Sequence, residues 1–307
     1  MRVTIHLPKA SIAIALLVAS GCTRPDKPED GTATARPAVV VPYGANAPAS
    51  ATFVHDGVTL YYETYGAGEP LLLVHGNGCS IATMAAQIDF FKTRYRVIAM
   101  DSRDHGRSGD SDSPITYEQM TDDLAALIEH LQLGAVNVLG WSDGGIEALL
   151  LGVRHPAKVK KLVAMAANLE PGHQAVYRET LELWTSLGNV PDSIRATAQG
   201  QRAQRVASLM LKEPHIDPRM LARISAPTLV LAGDHDLIRT EHTVDIFNHL
   251  PNGQLAILPN STHMVPFDDP ASFNGIVDRF LSAPFKKRDR IADVMTSYEK
   301  LMANQPK

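Results

Sequence analysis

A serine at the centre of a glycine-flanked turn constrains the fold of this 307-residue chain more than any other feature. The pentapeptide Gly-Trp-Ser-Asp-Gly at 140–144 follows the apolar run 136–139 and precedes the helix-forming run 145–151. A strand that turns this tightly into a helix strains the backbone of its apical residue, so small residues must stand two positions away on each side. The turn would expose the hydroxyl of Ser142 and point the first amides of the helix toward a bound group.

Two later segments supply the partners that a nucleophilic serine needs, namely a base to take its proton and an acid to orient the base. The apolar run 227–233 leads into Asp234 and Asp236, and the apolar run 255–259 leads into a loop that ends at His263. Each follows a predicted strand, and parallel sheets gather their chemistry at the carboxyl ends of strands. The order serine, aspartate, histidine predicts His263 as the general base and one of the two aspartates as its orienting acid.

A third segment predicts a site for the oxyanion of a tetrahedral intermediate. The apolar run 71–74 enters the small-residue loop 75–78, which can present a backbone N–H of Asn77 toward the serine. The N–H of Asp143, directly after the serine, would be the second donor. The side chain of Asn77 is an alternative donor to its backbone, and the third alternative is a residue that only suits the turn.

In this order the motifs resemble the α/β-hydrolase superfamily. The resemblance covers residues 51–284 and includes the strand 96–101 and the loop 102–108, in which Asp104 stands where glycine is usual. The Gly-Trp-Ser-Asp-Gly-Gly turn is most similar to that of valacyclovir-hydrolase-like enzymes and related bacterial esterases. The resemblance implies an α/β fold with a mostly parallel eight-stranded sheet, flanking helices and a small helical cap.

The resemblance also implies roles for residues around the serine. The family pattern Gly-x-x-Asp favours Asp236 over Asp234 as the acid. In the related branch an acidic group in the pocket accompanies a preference for amino esters, so Asp143 is a candidate substrate-binding residue, as is Trp141. A purely structural reading of Asp143 is also sufficient, because a carboxylate at a helix N-terminus gains about 0.3–1 kcal/mol.

The group Asp101, Asp104 and His105 raises the alternative of a metal site, but its spacing fits no zinc motif and favours a hydrogen-bonded supporting loop. We therefore predict no metal and no organic cofactor. Serine rather than aspartate at position 142 argues against the carboxylate nucleophile of dehalogenase-like relatives.

The segment between the predicted strand 161–165 and Pro227 carries apolar residues at helical spacing. We interpret its central part, approximately 170–223, as a helical cap that would bind substrate and exclude water.

The first 22 residues are typical of a bacterial lipoprotein signal. Their apolar core, 10–19, is shorter than the roughly 20 residues of a spanning helix, and small residues precede Cys22. Cleavage there would leave Cys22 as a lipidated N-terminus, with an ordinary secretory signal as the alternative. Residues 23–50 predict a flexible tether, because they are rich in Pro, Ala, Thr and Gly. Together these features predict an exported protein of the bacterial cell envelope.

Composition limits the remaining possibilities. The net charge is −4 with no basic stripe, which argues against a nucleic-acid partner. The chain has two cysteines, and lipidation of Cys22 would leave Cys79 without a disulfide partner, as a small packing residue. A polar helical tail, 285–307, with a basic run at 286–288, is predicted beyond the family core and has no assigned function. The sequence does not indicate the oligomeric state.

The sequence thus predicts a membrane-tethered serine hydrolase that cleaves a carboxylic ester or related acyl bond of a small molecule. Hydrolysis of a C–C bond, lactonase activity and aminopeptidase-like activity use the same site and stay open. The alternative of a different class is a non-catalytic lipoprotein that uses the fold for binding. The complete set of Ser142, Asp236 and His263 counts against that alternative.

Overall fold

A single eight-stranded sheet lies at the centre of the computed structural model, which describes residues 42–303. The strands are β1 (Ser50–His55), β2 (Val58–Tyr65), β3 (Glu69–Val74), β4 (Tyr95–Met100), β5 (Val136–Trp141), β6 (Val159–Met165), β7 (Thr228–His235) and β8 (Gly253–Thr262). Their order is β1-β2-β4-β3-β5-β6-β7-β8. The contacts β1–β2 and β2–β4 are antiparallel, and all others are parallel. The predicted mostly parallel eight-stranded sheet is confirmed.

The central strands are buried on both faces. In β3 the four consecutive residues 71–74 are at most 1% exposed, although successive side chains of a strand point to opposite faces. The sequence of such a strand is a continuous apolar run, because helices cover both faces of a parallel sheet. This is why the sequence located the inner strands so readily.

Ten α-helices connect and flank the strands in the described part of the chain. They are α1 (Ala85–Phe91), α2 (Tyr117–His130), α3 (Asp143–Arg154), α4 (Arg178–Gly188), α5 (Asp192–Arg195), α6 (Ala198–Lys212), α7 (Thr240–His249), α8 (Val265–Asp268), α9 (Pro270–Ser282) and α10 (Arg290–Ala303). Short 3₁₀ helices span Ala47–Ala49, Ile81–Met84, Pro156–Lys158 and Pro218–Arg223. Helices α4 to α6 and the last 3₁₀ helix lie between β6 and β7, in the segment where the cap is predicted.

A buried carboxylate fixes the chain ahead of β1. Glu63 on β2 is fully buried and accepts the backbone N–H groups of Gly44 and Asn46, both at 2.8 Å. The hydroxyls of Tyr61 and Tyr65 donate to the same carboxylate at 2.6 and 2.7 Å. Four donors compensate for the desolvation of the charge, so the segment before β1 belongs to the folded domain.

The structure therefore differs from the predicted tether, 23–50, over its last residues, because Tyr43 is only 9% exposed. The predicted signal sequence, the lipidation at Cys22 and the rest of the tether lie outside the described residues. Within residues 42–303, no helix combines the length and apolar character needed to cross a membrane.

Candidate active site

The turn between β5 and α3 holds Ser142 in a rare backbone conformation, with φ of 58° and ψ of −120°. Neither flanking glycine could carry a side chain, because backbone atoms lie too close to it. A Cβ on Gly140 would lie 1.9 Å from the carbonyl oxygen of Gly144, and a Cβ on Gly144 would lie 2.2 Å from that of Val74. The strained serine predicted from the sequence is therefore present, and the close approach of β3 and α3 explains the glycines.

The structure brings the three predicted residues into one hydrogen-bonded chain. The hydroxyl Oγ of Ser142 lies 3.0 Å from Nε2 of His263, and Nδ1 of His263 lies 2.7 Å from Oδ1 of Asp236. The Asp236 carboxylate also accepts the backbone N–H groups of Ile238 at 3.1 Å and Gly233 at 3.3 Å. With Asp236 so held, Nδ1 of the imidazole carries the proton and Nε2 is left to accept the serine proton.

The second aspartate after β7 has a different task. Asp234 accepts the backbone N–H groups of Asn260 and Ser261 at 2.9 and 3.0 Å, just ahead of His263. The neighbouring imidazole of His235, 2.8 Å away, and these N–H groups lower the pKa of Asp234 to about 2. Asp234 thus stabilises the loop that carries the base but does not contact its ring.

The backbone N–H groups of Asn77 and Asp143 are the donors predicted for an oxyanion site. Within residues 42–303, neither has a backbone hydrogen-bond acceptor. The loop of Asn77 packs close to the turn, since a Cβ on Gly76 would lie 3.0 Å from the Cβ of Ser142. Free donors on both sides of a serine are what stabilisation of a tetrahedral oxyanion requires.

The side chain of Asn77 has another function. Its Nδ2 donates to Oδ2 of Asp143 at 2.8 Å and to the carbonyl oxygen of Val206 on α6 at 3.0 Å. An amide nitrogen has two hydrogens, and both have partners here. Of the two donors considered from the sequence, the backbone N–H is the one without a partner in the described part of the chain, and the side chain links the serine turn to α6.

Comparisons with known proteins indicate the same fold. A family model described as the alpha/beta hydrolase fold matches residues 69–184. Serine hydrolase BPHL of Mus musculus is 28% identical over 250 residues, covering 76% of this chain and 86% of that protein. The 3-oxoadipate enol-lactonase 2 of Acinetobacter baylyi is 27% identical over 255 residues, covering 74% and 94%. The crystal structure of MGS-M2, an α/β hydrolase from a Medee basin deep-sea metagenome library, matches with a TM-score of 0.68 at 20% identity, covering 78% and 100%.

These matches, with the sheet order and the strained serine turn, agree on one fold. The chain has the α/β-hydrolase fold, and its sequence and structural matches lie in the α/β-hydrolase superfamily. It is a serine hydrolase of that fold.

The carboxylate of Asp143 in this hydrolase is buried and already bonded. It is 4% exposed, and besides the Asn77 amide it interacts with the hydroxyl of Tyr117. Burial raises the pKa of Asp143 to about 6, against the opposing effect of these two donors. A cationic substrate group would have to compete with both donors, so the substrate-binding role of the side chain stays a prediction.

Trp141 ties the serine turn of the hydrolase to the loop of the base. Its indole N–H donates to the carbonyl oxygen of His263 at 2.9 Å, and its ring meets Phe267 edge-on at 4.6 Å. The residue is 5% exposed. From the sequence we predicted that Trp141 shapes the pocket. Its hydrogen bond to His263 joins distant parts of the chain and cannot be predicted from a local sequence pattern.

We expect Trp141→Phe to lower kcat about 3–10-fold with little change in KM, because the histidine loop loses its anchor while the aromatic packing remains. The free energy of unfolding should fall by about 1–3 kcal/mol, since the His263 carbonyl loses a buried partner. Steady-state kinetics and urea unfolding test this. A KM effect larger than the kcat effect would contradict the anchoring role and favour contact with substrate.

The unusual Asp104 connects the loop after β4 to α6. It adopts a positive φ of 59° and is 2% exposed. Its carboxylate accepts Nε and Nη2 of Arg205 at 2.9 and 2.8 Å, and the N–H of Ser111 at 2.9 Å. Arg202, one turn earlier on α6, donates to the carbonyl oxygen of Ser108 at 2.7 Å. The aspartate that replaces the family's glycine thus holds α6 in place.

Other polar groups of this loop make hydrogen bonds within the protein, whereas Oγ of Ser102 and Nε2 of His105 are buried without a partner among residues 42–303. Asp101 accepts the N–H groups of Ile81 and Arg107, both at 2.8 Å. His105 donates through Nδ1 to the carbonyl oxygen of Arg103 at 2.8 Å. In the part of the chain that the structure describes, no three His, Cys, Asp or Glu side chains are grouped to hold a metal ion. The supporting-loop interpretation fits these contacts.

Cys79 lies next to the oxyanion loop, and burial raises the pKa of its thiol to about 11. The thiol therefore stays protonated near neutral pH and is a poor nucleophile. This agrees with the packing role predicted from the sequence.

Two buried imidazoles behind the site should make the fold sensitive to acid. The pKa of both His75 and His105 is lowered from 6.5 to about 4, chiefly by burial, and for His105 the nearby His75 contributes to this shift. Between these pH values the unfolded chain binds protons that the native state excludes. The stabilisation is therefore present above pH 6.5 and is lost as the pH falls toward 4.

The variant His105→Asn, which can keep a donor toward the Arg103 carbonyl, isolates one of these groups. We expect the loss of unfolding free energy between pH 8 and about pH 5 to be about 2 kcal/mol smaller in the variant than in the wild type. Asp143, with its raised pKa, acts in the opposite direction but equally in both proteins. Equal acid sensitivity of the two proteins in urea titrations would show that His105 is not the group responsible.

Proposed function

We propose that this serine hydrolase cleaves a carboxylic ester of a small molecule through an acyl-enzyme. The observation that carries the proposal is the continuous chain from Asp236 through His263 to Ser142, with distances of 2.7 and 3.0 Å. All three residues lie at or just beyond the carboxyl ends of strands. A serine with both a base and an acid in line is equipped for acyl transfer.

In the proposed reaction the hydroxyl of Ser142 attacks the ester carbonyl while Nε2 of His263 takes its proton. Asp236 stabilises the imidazolium, and the N–H groups of Asn77 and Asp143 bind the oxyanion. The tetrahedral intermediate collapses when His263 returns the proton to the leaving alcohol. Water, deprotonated by the same imidazole, then attacks the acyl-enzyme and releases the acid.

The chemistry of the leaving group supports an ester as the bond that is cleaved. An alkoxide needs a single proton, and His263 can deliver it from the position it has beside Ser142. An amine leaves less readily, and a carbon leaving group requires protonation at carbon. One relative is named an enol-lactonase, and a lactone is a cyclic ester, so a lactone is the second substrate class to test.

The first experiment combines fluorophosphonate labelling with turnover of p-nitrophenyl esters of short and medium acyl chains, a lactone and a p-nitroanilide. Ser142→Ala is the matched control for every substrate. We expect labelling and ester hydrolysis in the wild type only. Faster turnover of the anilide than of any ester would overturn the ester assignment and leave the serine hydrolase. A wild type that neither labels nor turns over would favour the non-catalytic binding module.

We also propose that the chain is exported and carries a lipid at Cys22, supported by the apolar core 10–19 and the small residues before the cysteine. Labelling of cells with an alkyne-bearing fatty acid tests this. We expect the wild type to carry the label and to sediment with membranes, and Cys22→Ala to carry none. Label-free wild-type protein in the soluble exported fraction would favour the ordinary secretory signal.

A further inference from the structure

The last helix of the chain presents an apolar face to solvent. Helix α10 has no buried residue, and the sequence-based description of the tail as polar applies to only part of its surface. Six large apolar side chains, with exposures from 47% to 74%, recur three or four positions apart along it: Ile291, Val294, Met295, Tyr298, Leu301 and Met302. Residues at this spacing share one side of a helix, and a contiguous exposed patch of this kind marks an interaction surface.

The charge of the tail is opposite to that of the rest of the domain. Residues 286–307 contain twice as many basic as acidic residues, and four of the basic ones are concentrated at 286–290. In residues 42–285 the acidic side chains clearly outnumber the basic ones. Lys286 and Arg288 approach Asp293 at 3.0 and 3.6 Å but remain 70% and 74% exposed. An anionic surface would therefore attract the tail and repel the body of the domain.

We propose that α10 binds the surface of an anionic lipid bilayer, with its apolar face in the headgroup region and the basic run 286–290 against the phosphates. Within α10 the charges of Arg290 and Lys300 balance those of Asp293 and Glu299, so the excess positive charge lies at 286–288, just ahead of the helix. An exposed apolar helix face next to such a basic segment suits the membrane interface. Tyr298, with an apolar ring and a hydroxyl, suits the boundary between the two regions.

A second copy of the chain fits this face less well. The helix has 14 residues, and two such helices side by side would bury much less than the roughly 800 Å² per partner of a stable interface. Parallel pairing would also bring two basic runs together. Neither the small buried area nor the repulsion between basic runs applies to a bilayer, because a single helix can insert one face into it.

The test is flotation of the protein with lipid vesicles. The protein used starts at Pro42, so it contains every strand and the contacts of Glu63 with Gly44 and Asn46. One vesicle is phosphatidylcholine alone and the other contains phosphatidylglycerol in equal part. We expect binding to the anionic vesicle, weakening as salt is raised, because screening shortens electrostatic range. Binding to phosphatidylcholine should be about tenfold weaker.

Variants separate the two components of the binding. Val294→Glu with Leu301→Glu places charges in the apolar face. Lys286→Gln with Lys287→Gln and Arg288→Gln removes three of the four basic residues of the run 286–290. Each variant should weaken anionic-vesicle binding about tenfold. Val54→Glu, at a 68% exposed position on β1, is the matched control and should bind like the wild type. All variants should hydrolyse a soluble substrate of the enzyme, or label with fluorophosphonate, as the wild type does, which separates this proposal from the ester proposal.

Three results would overturn the proposal. One is no flotation of the wild type with the anionic vesicle. Another is equal flotation of the wild type and the Val294→Glu, Leu301→Glu variant. The third is a concentration-dependent dimer in sedimentation velocity that this variant abolishes while vesicle binding is absent, which would assign the face to a second copy.

Discussion

Ser142→Ala is expected to lower kcat for a p-nitrophenyl ester by about 10⁴- to 10⁶-fold, the largest effect of any single substitution in this protein. The variant has no atom to form the acyl-enzyme, so His263 can only assist direct attack by water. The oxyanion donors are backbone N–H groups and remain in place, which leaves a residual rate above the uncatalysed reaction. Long incubations with stringent removal of contaminating esterases are required to measure it.

Substrate binding and stability should change little in the Ser142→Ala variant. KM stays near the wild-type value when the pocket is intact, and the denaturant midpoint should also be close, because Ser142 is partly exposed and makes its side-chain hydrogen bond only to His263. Activity above about one per cent of wild type, in a preparation that no longer labels with fluorophosphonate, would show that another residue performs the attack.

Asp236→Asn is expected to lower kcat by about 10⁴-fold while the fold is retained. An amide at this position turns its NH₂ toward Nδ1 of the imidazole, 2.7 Å away in the wild type. Nδ1 then becomes the acceptor, and the proton moves to Nε2, which can no longer take a proton from Ser142. Steady-state kinetics across the pH range measure the effect, with far-ultraviolet circular dichroism as the check on folding.

Asp234→Asn is the matched control, since the same change is made two residues earlier in the chain. An amide oxygen keeps one of the two bonds to the N–H groups of Asn260 and Ser261, so kcat should fall less than about tenfold. If Asp234→Asn proved the more damaging of the two, the assignment of Asp236 as the orienting acid would be wrong.

The elements that the sequence predicted best are those whose pattern is local. The runs 71–74, 136–139 and 227–233 all lie within or at the start of inner strands. Burial on both faces makes these strands largely apolar, with Asn137 and Thr228 as buried polar exceptions. The turn at Ser142 could be predicted equally well from the sequence. Only glycine fits at either flanking position, because a Cβ there would overlap backbone atoms. The antiparallel strands β1 and β2 have mixed patterns, with exposed residues in both, and the sequence did not indicate them individually.

Other features depend on contacts between distant segments. Spacing alone left Asp234 and Asp236 as alternative acids, and the direction of each carboxylate separates them in the fold: one accepts N–H groups of the 260–261 loop, the other faces His263. The bond from Trp141 to the His263 carbonyl and the pairing of Asp104 with Arg205 are likewise invisible in a linear pattern.

The amino-acid sequence by itself determined the order of the inner strands, the strained serine and the chemical types available at the strand ends. These follow from backbone sterics and side-chain burial, which act over a few residues. Only the tertiary structure decided which side chains meet, how α6 is held over the loop after β4, and that α10 leaves an apolar face uncovered. Such contacts join residues far apart in the chain, and their geometry is set by the packing of the whole sheet and its helices.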